Sequence, residues 1–128
     1  MSKRMVSMSV VNASSTTING TAWHASGSGS GRIVSPVLQV SLPSFGTTDD
    51  VSKDDIPVRN DHDDYWFWQP TGAAGPVECA KNCKAATVGA CLVVTDIQLV
   101  VVTSDNGVAT ADFAGATSAA SQTARAKA

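Results

Sequence analysis

The stretch CLVVTDIQLVVVTSDNGVATADF, residues 91–113, gives the clearest indication of the fold class. Its first part, residues 91–103, is dominated by β-branched side chains, and residues 108–113 alternate between apolar and polar. Both patterns predict β-strands. Asn106 and Gly107 between them are the favoured centre of a type I′ turn, because both accept a positive φ. The stretch therefore predicts two antiparallel strands joined by a two-residue loop.

This turn also sets the predicted register of the two strands. With the loop centred on the Asn-Gly pair, Thr103 faces Thr110 and Val100 faces Phe113. Residues 91–103 are expected to form one long strand. Four of its apolar side chains are expected on one face: Val93, Ile97, Leu99 and Val101.

Alternation in the rest of the chain predicts further strands. Near the N-terminus Val6, Met8 and Val10 alternate with serines, as in a half-buried strand. Further strands are expected at residues 16–23, 32–43 and 65–69. The turn dipeptide Asn19-Gly20 either divides the first of these into a hairpin or leaves it intact. Pro36 indicates that the second lies at a sheet edge or contains a bulge. We therefore predict an all-β fold, a small single-domain sandwich or barrel-like antiparallel sheet of roughly six to eight strands.

One helix and two irregular segments complete the predicted organisation. Pro76 suits the first position of a helix and Gly89 a stop, which predicts one short helix over residues 77–88. The β domain is expected to span residues 1–115, with an acidic loop at 44–64. A flexible tail rich in Ala, Ser and Thr, with basic residues near its tip, is expected at 116–128.

The charge balance argues against several classes of function. Charged residues make up 16% of the chain and the net charge is −2, so there is no basic field for nucleic acid. No apolar run is long enough to cross a membrane. The apolar region of a signal peptide does not follow Lys3 and Arg4, so we expect a cytoplasmic protein or one found in an assembled particle. Low charge also favours self-association.

The acidic loop carries the strongest candidates for a metal site. Seven of the eleven acidic residues lie between positions 49 and 64. Clustered carboxylates are ligands that Ca²⁺ prefers, although the helix-loop-helix pattern with its mid-loop glycine is missing. The alternatives are a solvated acidic loop or a contact with basic chain ends. The calcium candidates are Asp54, Asp55, Asp61, Asp63 and Asp64, and no other cofactor is expected.

Four consecutive aromatic residues follow the acids directly. On a strand Tyr65 and Phe67 face one side, while Trp66 and Trp68 face the other. One pair is expected to fill the core, and the opposite face must be covered by another sheet, a partner, a ligand or a membrane surface. Because indole rings stack on sugars and bind cations, we assign these four residues and Trp23 as candidate ligand or interface residues.

The inventory of catalytic residues is small. Neither His24 nor His62 lies in a recognisable catalytic or metal-binding motif. The three cysteines, Cys79, Cys83 and Cys91, have no zinc-site spacing and are expected to be free thiols, with a three-sulfur zinc site as the alternative. We therefore expect no enzymatic activity; a small hydrolase using His62 and a carboxylate is a third hypothesis.

These observations favour a non-catalytic structural protein that self-assembles into a homo-oligomer, as a coat, virion or filament subunit does. Low charge, strands rich in Val and Thr, and polar ends motivate that hypothesis. The alternative is a carbohydrate- or cation-binding β module. In such a module Trp66, Trp68 and the nearby aspartates would bind a glycan or a small cationic ligand, and calcium would assist the binding.

Overall fold

The computed structural model describes residues 3–26, 37–46, 56–59, 64–83 and 87–113. Within these ranges the chain forms nine β-strands and no helix. None of the described residues therefore belongs to a helix that could cross a membrane. The strands are β1 (Lys3–Asn12), β2 (Ile18–Ser26), β3 (Val37–Leu42), β4 (Ile56–Arg59), β5 (Asp64–Pro70), β6 (Val77–Ala80), β7 (Gly89–Val94), β8 (Gln98–Thr103) and β9 (Val108–Asp112).

The strands form two sheets that pack face to face. The five-stranded sheet has the order β4-β1-β7-β8-β9, and the four-stranded sheet has the order β3-β2-β5-β6. The predicted all-β fold is confirmed, and the two layers make it a small sandwich. One pair departs from the predicted antiparallel arrangement, because β1 and β7 run parallel, with Val10 beside Leu92.

The run at residues 91–103 is two strands, so the prediction of one long strand is wrong. β7 ends at Val94, and a two-residue loop of Asp96 and Ile97 reverses the chain into β8. The Thr95 hydroxyl accepts hydrogen bonds from the Ile97 and Gln98 amides at 3.2 and 3.0 Å. A threonine can stabilise a tight turn in this way without glycine, which is why composition alone gives no signal.

The second hairpin exists, but its predicted register is wrong. Val100 pairs with Thr110, so the register differs by three residues. The loop has three residues, with Asn106 at φ 70°, and the Thr103 amide donates to the Gly107 carbonyl at 2.9 Å. A hydrogen bond from the Thr103 hydroxyl to the Asp105 carboxylate closes the loop further. A three-residue loop with its last residue left-handed is a favoured hairpin geometry.

The helix predicted at residues 77–88 is wrong for the described part of that segment. Residues 77–80 are strand β6, in which Val77 and Cys79 are buried while Glu78 and Ala80 are exposed. This period-two burial against β5 outweighs the helix-start signal of Pro76. Residues 81–83 and 87–88 are not helical, and residues 84–86 lie outside the described ranges.

β2 is continuous through the predicted turn at Asn19 and Gly20. A Cβ atom at Gly20 would lie 2.3 Å from the Gln69 carbonyl oxygen and 2.7 Å from the Trp68 ring. The glycine therefore allows β2 to pass close to the aromatic strand, which is one of the known reasons for glycine inside a strand. Pro70 is its partner across the pair.

The core lies between the sheets. As predicted, Val6, Met8 and Val10 alternate inward, and all three are fully buried. Opposite them lie Trp66 and Trp68 of β5. β3 forms an edge of its sheet, as the proline pattern of its segment indicated.

A buried asparagine connects the two sheets at one end of the sandwich. The Asn12 side-chain amide donates to the carbonyls of Thr16, Leu42 and Pro43 at 2.8, 3.1 and 3.0 Å. Its carbonyl oxygen accepts from the Ser14 amide at 2.9 Å. The same oxygen also accepts from the Ser14 hydroxyl at 2.5 Å, so both ends of the amide are fully hydrogen-bonded, which ties the end of β1 to the end of β3.

The predicted acidic loop at 44–64 is not irregular throughout. Residues 56–59 form β4, where Ile56 and Val58 are fully buried against β1. Residues 47–55 and 60–63 of that loop and the predicted tail at 116–128 lie outside the described residues. The predicted domain limits remain a prediction.

Candidate functional site

The aromatic strand β5 sends alternate rings to opposite sides of its sheet. Trp66 is fully buried and Trp68 is 2% exposed, and both pack in the core between the sheets. The five-stranded sheet therefore covers the two indole rings that were candidates for a ligand platform. In this conformation neither ring offers an open face on which a sugar could stack.

The other two aromatics of β5 belong to a second cluster on the opposite face. Phe67 stacks on Trp23 with ring centroids 5.2 Å apart and an angle of 10° between the planes. Both rings are fully buried, with Ala25 in the same cluster and Val37 and Tyr65 packed against it. Of the five predicted ligand or interface residues, Tyr65 alone is partly exposed.

A buried histidine and carboxylate lie beside the aromatic core. His24 on β2 and Asp64 at the start of β5 meet with 2.7 Å between Nε2 and Oδ1, and both side chains are buried. The His24 ring lies 4.6 Å from that of Trp66, measured between centroids. The register of β2 with β5 brings the pair together, because it places Ser26 opposite Asp64 and His24 opposite Trp66.

Asp64 also holds the segment that follows β6. Its Oδ2 accepts a hydrogen bond from the Cys83 amide at 3.2 Å, and its own amide donates to the Asn82 side chain at 3.1 Å. The Lys81 amide donates to the Asp64 carbonyl at 3.0 Å, and the Trp66 indole N–H donates to the Lys81 carbonyl at 2.9 Å. Asp64 and Trp66 thus hold residues 81–83 against the core.

This geometry indicates a structural role for the pair. A general base must reach the proton that it removes, either directly or through one water molecule. His24 is 4% exposed and Asp64 is fully buried, so a substrate cannot reach them without rearrangement. No local sequence pattern indicates this pair, because its members are 40 residues apart. His62, the histidine of the hydrolase hypothesis, lies outside the described residues.

The three cysteines have different surroundings. Cys79 and Cys83 are buried, Cys91 is partly exposed, and no disulfide joins them. Burial raises the pKa of the Cys79 thiol from 9.0 to about 11, which keeps it protonated and unreactive near neutral pH. Among the described residues, no three His, Cys, Asp or Glu side chains come together in a way that could hold a metal ion.

Asp64 is the one calcium candidate whose position is described, and its carboxylate is already engaged by His24 and Cys83. The other four candidates, Asp54, Asp55, Asp61 and Asp63, lie outside the described residues. The calcium site therefore remains a prediction.

A small slot opens between the sheets at the end of the sandwich where the Asp96 turn lies. It encloses about 30 Å³ and is lined by both apolar and polar groups. Trp68, Phe113 and Pro70 form apolar walls, while Asp96 and Asn19 contribute polar groups. This volume accommodates small groups of the size of water and excludes a sugar ring.

The outer face of the five-stranded sheet carries an apolar surface that crosses four strands. Val11, Val93 and Val100 lie side by side on β1, β7 and β8, and Val102 pairs with Val108 on β8 and β9. These five residues are called the outer valine patch below. Val108 is 61% exposed, and the other four are partly exposed. On the outward positions of β7, β8 and β9 and of residues 7–12 of β1, Asp112 is the one charged side chain.

The patch ends at β9, the edge strand of this sheet. Hydrogen bonds from Thr103 to Gly107 and from Phe113 to Ile97 show which β9 residues pair with β8. In an antiparallel ladder these residues alternate with residues whose amide and carbonyl groups point away. The outward-pointing set of β9 is Val108, Thr110 and Asp112. Within the described chain, no strand pairs with that side of β9.

No protein-family model matches this chain, and no curated protein is significantly similar to it. The β-sandwich class therefore follows from the two packed sheets, and function has to be argued from the chain's own surfaces.

Proposed function

We propose that this protein is a non-catalytic structural subunit that self-associates through its five-stranded sheet. The observation that carries the proposal is the outer valine patch. Apolar surface that is exposed on a monomer becomes favourable to bury when a partner covers it, by about 25 cal/mol for each Å². Contiguous apolar patches on soluble proteins are typical of interaction sites.

The scarcity of charge on the same face supports self-association over binding of a charged partner. Two copies of this part of the face can approach with little electrostatic repulsion, because Asp112 is the single charged side chain on the outward positions of β7, β8 and β9 and of residues 7–12 of β1. Interfaces between identical subunits are more apolar than other interfaces and depleted of charge at their centre. The low overall charge of the chain, with a net value of −2, acts in the same direction.

Light scattering after size-exclusion chromatography tests this proposal. We expect the mass of the full chain to rise above that of the 13.1 kDa monomer as the concentration rises from about 1 to about 300 μM. Val100→Lys places a charge in the middle of the patch and is expected to shift the chain towards monomer. Thr17→Lys adds the same charge at an exposed loop position and serves as the control. A wild-type chain that stays monomeric over the whole range contradicts the proposal.

A second candidate function is binding of a small cationic group at the slot between the sheets. The supporting observation is that the slot combines the Asp96 carboxylate with the rings of Trp68 and Phe113. Carboxylate and aromatic ring both attract a cation. Ammonium, a cation of about the size of water, should then change the tryptophan fluorescence in wild type and have a weaker effect in Asp96→Asn. A flat titration with both proteins contradicts this candidate, and glucose serves as the neutral comparison.

A further inference from the structure

Among the described strands none pairs with the outer side of the edge strand β9, and the other sheet edges are protected in different ways. β4 contains Pro57, which removes a donor from that edge. The end of β3 is closed because its Leu42 carbonyl accepts a hydrogen bond from Asn12 of the other sheet. β6 is only four residues long. β9 contains neither proline nor lysine, the residues that commonly protect an edge.

We propose that β9 pairs antiparallel with β9 of a second copy about a twofold axis at Thr110, which joins two five-stranded sheets into one of ten strands. This inference rests on the proposed self-association and adds a second contact, at the edge of the sheet, to the outer valine patch. Three residues of each strand would exchange backbone hydrogen bonds. Thr110 would pair with Thr110 of the second copy, and Val108 would pair with Asp112 of the second copy.

The backbone favours this register over its neighbours. Because Val108, Thr110 and Asp112 all point their amides and carbonyls outward, pairing centred on Thr110 uses all three residues in both copies. A shift of the axis by one residue in either direction pairs only two of the three. The side chains on the inner side of β9 are Ala109 and Ala111, whose small size allows the close approach of non-hydrogen-bonded pairs.

The charges of β9 favour the same register. Asp112 is the single charged residue of the strand. Pairing centred on Thr110 places the two Asp112 side chains four residues apart along the new ladder, or about 14 Å, beyond the Debye length of about 8 Å at physiological salt. Pairing centred one residue closer to Asp112 would halve their offset along the strand. Threonine opposite threonine is a favourable cross-strand pair.

The outer valine patch would continue across the new interface. Val108 lies at the edge of the patch next to Val102, so the same contact would bring the patches of both copies onto one sheet face. A second copy is favoured over a charged partner strand, because β9 carries no cation and a single anion.

Position-specific disulfide formation tests the pairing. In a background with Cys91→Ser, Thr110→Cys is expected to cross-link to a covalent dimer on mild oxidation, because the Cα atoms of such a pair lie about 5.5 Å apart. Val108→Cys alone is the matched control and should not cross-link, because the two copies of position 108 lie about 14 Å apart. Mixing Val108→Cys with Asp112→Cys should restore the cross-link between unlike chains.

A proline variant tests the same contact without cysteine. The Thr110 amide points away from β8, so Thr110→Pro removes no hydrogen bond of the monomer and should stay folded by circular dichroism. It is expected to weaken the dimer on the order of 100-fold, because two symmetry-related hydrogen bonds are lost.

The outcomes separate this inference from the proposed function. Self-association that persists in Thr110→Pro, together with no cross-link at Thr110→Cys, overturns the β9 pairing and leaves the valine patch as the interface. Self cross-linking of Val108→Cys in place of Thr110→Cys overturns the register. A wild-type chain that is monomeric at every concentration overturns both the inference and the proposed function.

Discussion

Breaking the buried contact between His24 and Asp64 should destabilise the fold strongly. The Nε2 to Oδ1 distance of 2.7 Å is that of a charge-assisted hydrogen bond, and both side chains are buried. Asp64→Ala removes this bond, which contributes about 1.5–3 kcal/mol, and leaves the buried Cys83 amide without its acceptor, which costs about 1–3 kcal/mol more. We expect a total loss of about 3–5 kcal/mol.

A double-mutant cycle isolates the contact itself. His24→Ala, Asp64→Ala and the double variant are compared by urea unfolding, with circular dichroism as the signal. Tryptophan fluorescence is a second signal, because the Trp66 ring lies 4.6 Å from His24. If the contact stabilises the fold directly, the losses in free energy of unfolding of the two single variants do not add up to that of the double variant, and the coupling energy is about 1.5–3 kcal/mol.

Two controls make this cycle decisive. Asp64→Asn keeps an acceptor for the Cys83 amide and a donor towards His24, so its loss should be clearly smaller than that of Asp64→Ala. Asp112→Ala removes an exposed carboxylate and should change stability by less than about 0.5 kcal/mol. A coupling energy below about 0.5 kcal/mol would show that the His24 and Asp64 contact does not itself stabilise the fold, because the losses in stability of the two single variants would then be independent.

Three further predictions follow from the packing of single residues. Asn12→Asp should destabilise more than Asn12→Ala, and by more than about 3 kcal/mol, because a carboxylate would face three backbone carbonyls; urea midpoints measure both. Gly20→Ala should lower stability by about 3 kcal/mol or more, with a fall in the thermal midpoint, because its Cβ would overlap the Gln69 carbonyl oxygen. Burial raises the pKa of Cys79 from 9.0 to about 11, so the stability that the protonated thiol contributes below pH 9 is lost as the pH rises towards 11. The free energy of unfolding should therefore be lower at about pH 10.5 than at about pH 8. Cys79→Ala should reduce this difference.

The strands that could be predicted are those in which one side chain in two is apolar. β1 shows this pattern, and its three inward residues are Val6, Met8 and Val10. The same physics explains the error at residues 77–88, because Val77 and Cys79 alternate over only four residues. A pattern that short cannot compete with a strong helix-start signal until the neighbouring strand is known.

Turn geometry was the least predictable part of the fold. The chain reverses at Asp96 and Ile97, where hydrogen bonds to the Thr95 hydroxyl stabilise the turn. The turn contains no glycine, so the sequence pattern does not indicate it. At the next hairpin Asn106 adopts positive φ as expected, but in a three-residue loop. The loop length depends on which residues of β8 are buried, and the packed sheets decide that.

The candidate site was predictable only to the level of which rings share a face. Alternation separates Trp66 and Trp68 from Tyr65 and Phe67, but it cannot say which pair lies inside. That depends on where the second sheet packs. The His24 contact with Asp64 and the parallel pairing of β1 with β7 join distant segments, so no local pattern indicates them.

Sedimentation equilibrium of the full chain tests the central claim of self-association most directly. At about 10, 50 and 250 μM we expect a reversible rise in mass from the 13.1 kDa monomer towards the dimer or larger species. Thr110→Pro measured in parallel should show a smaller rise in mass at the same concentrations. A single 13.1 kDa species at all three concentrations of the wild-type chain would contradict the account.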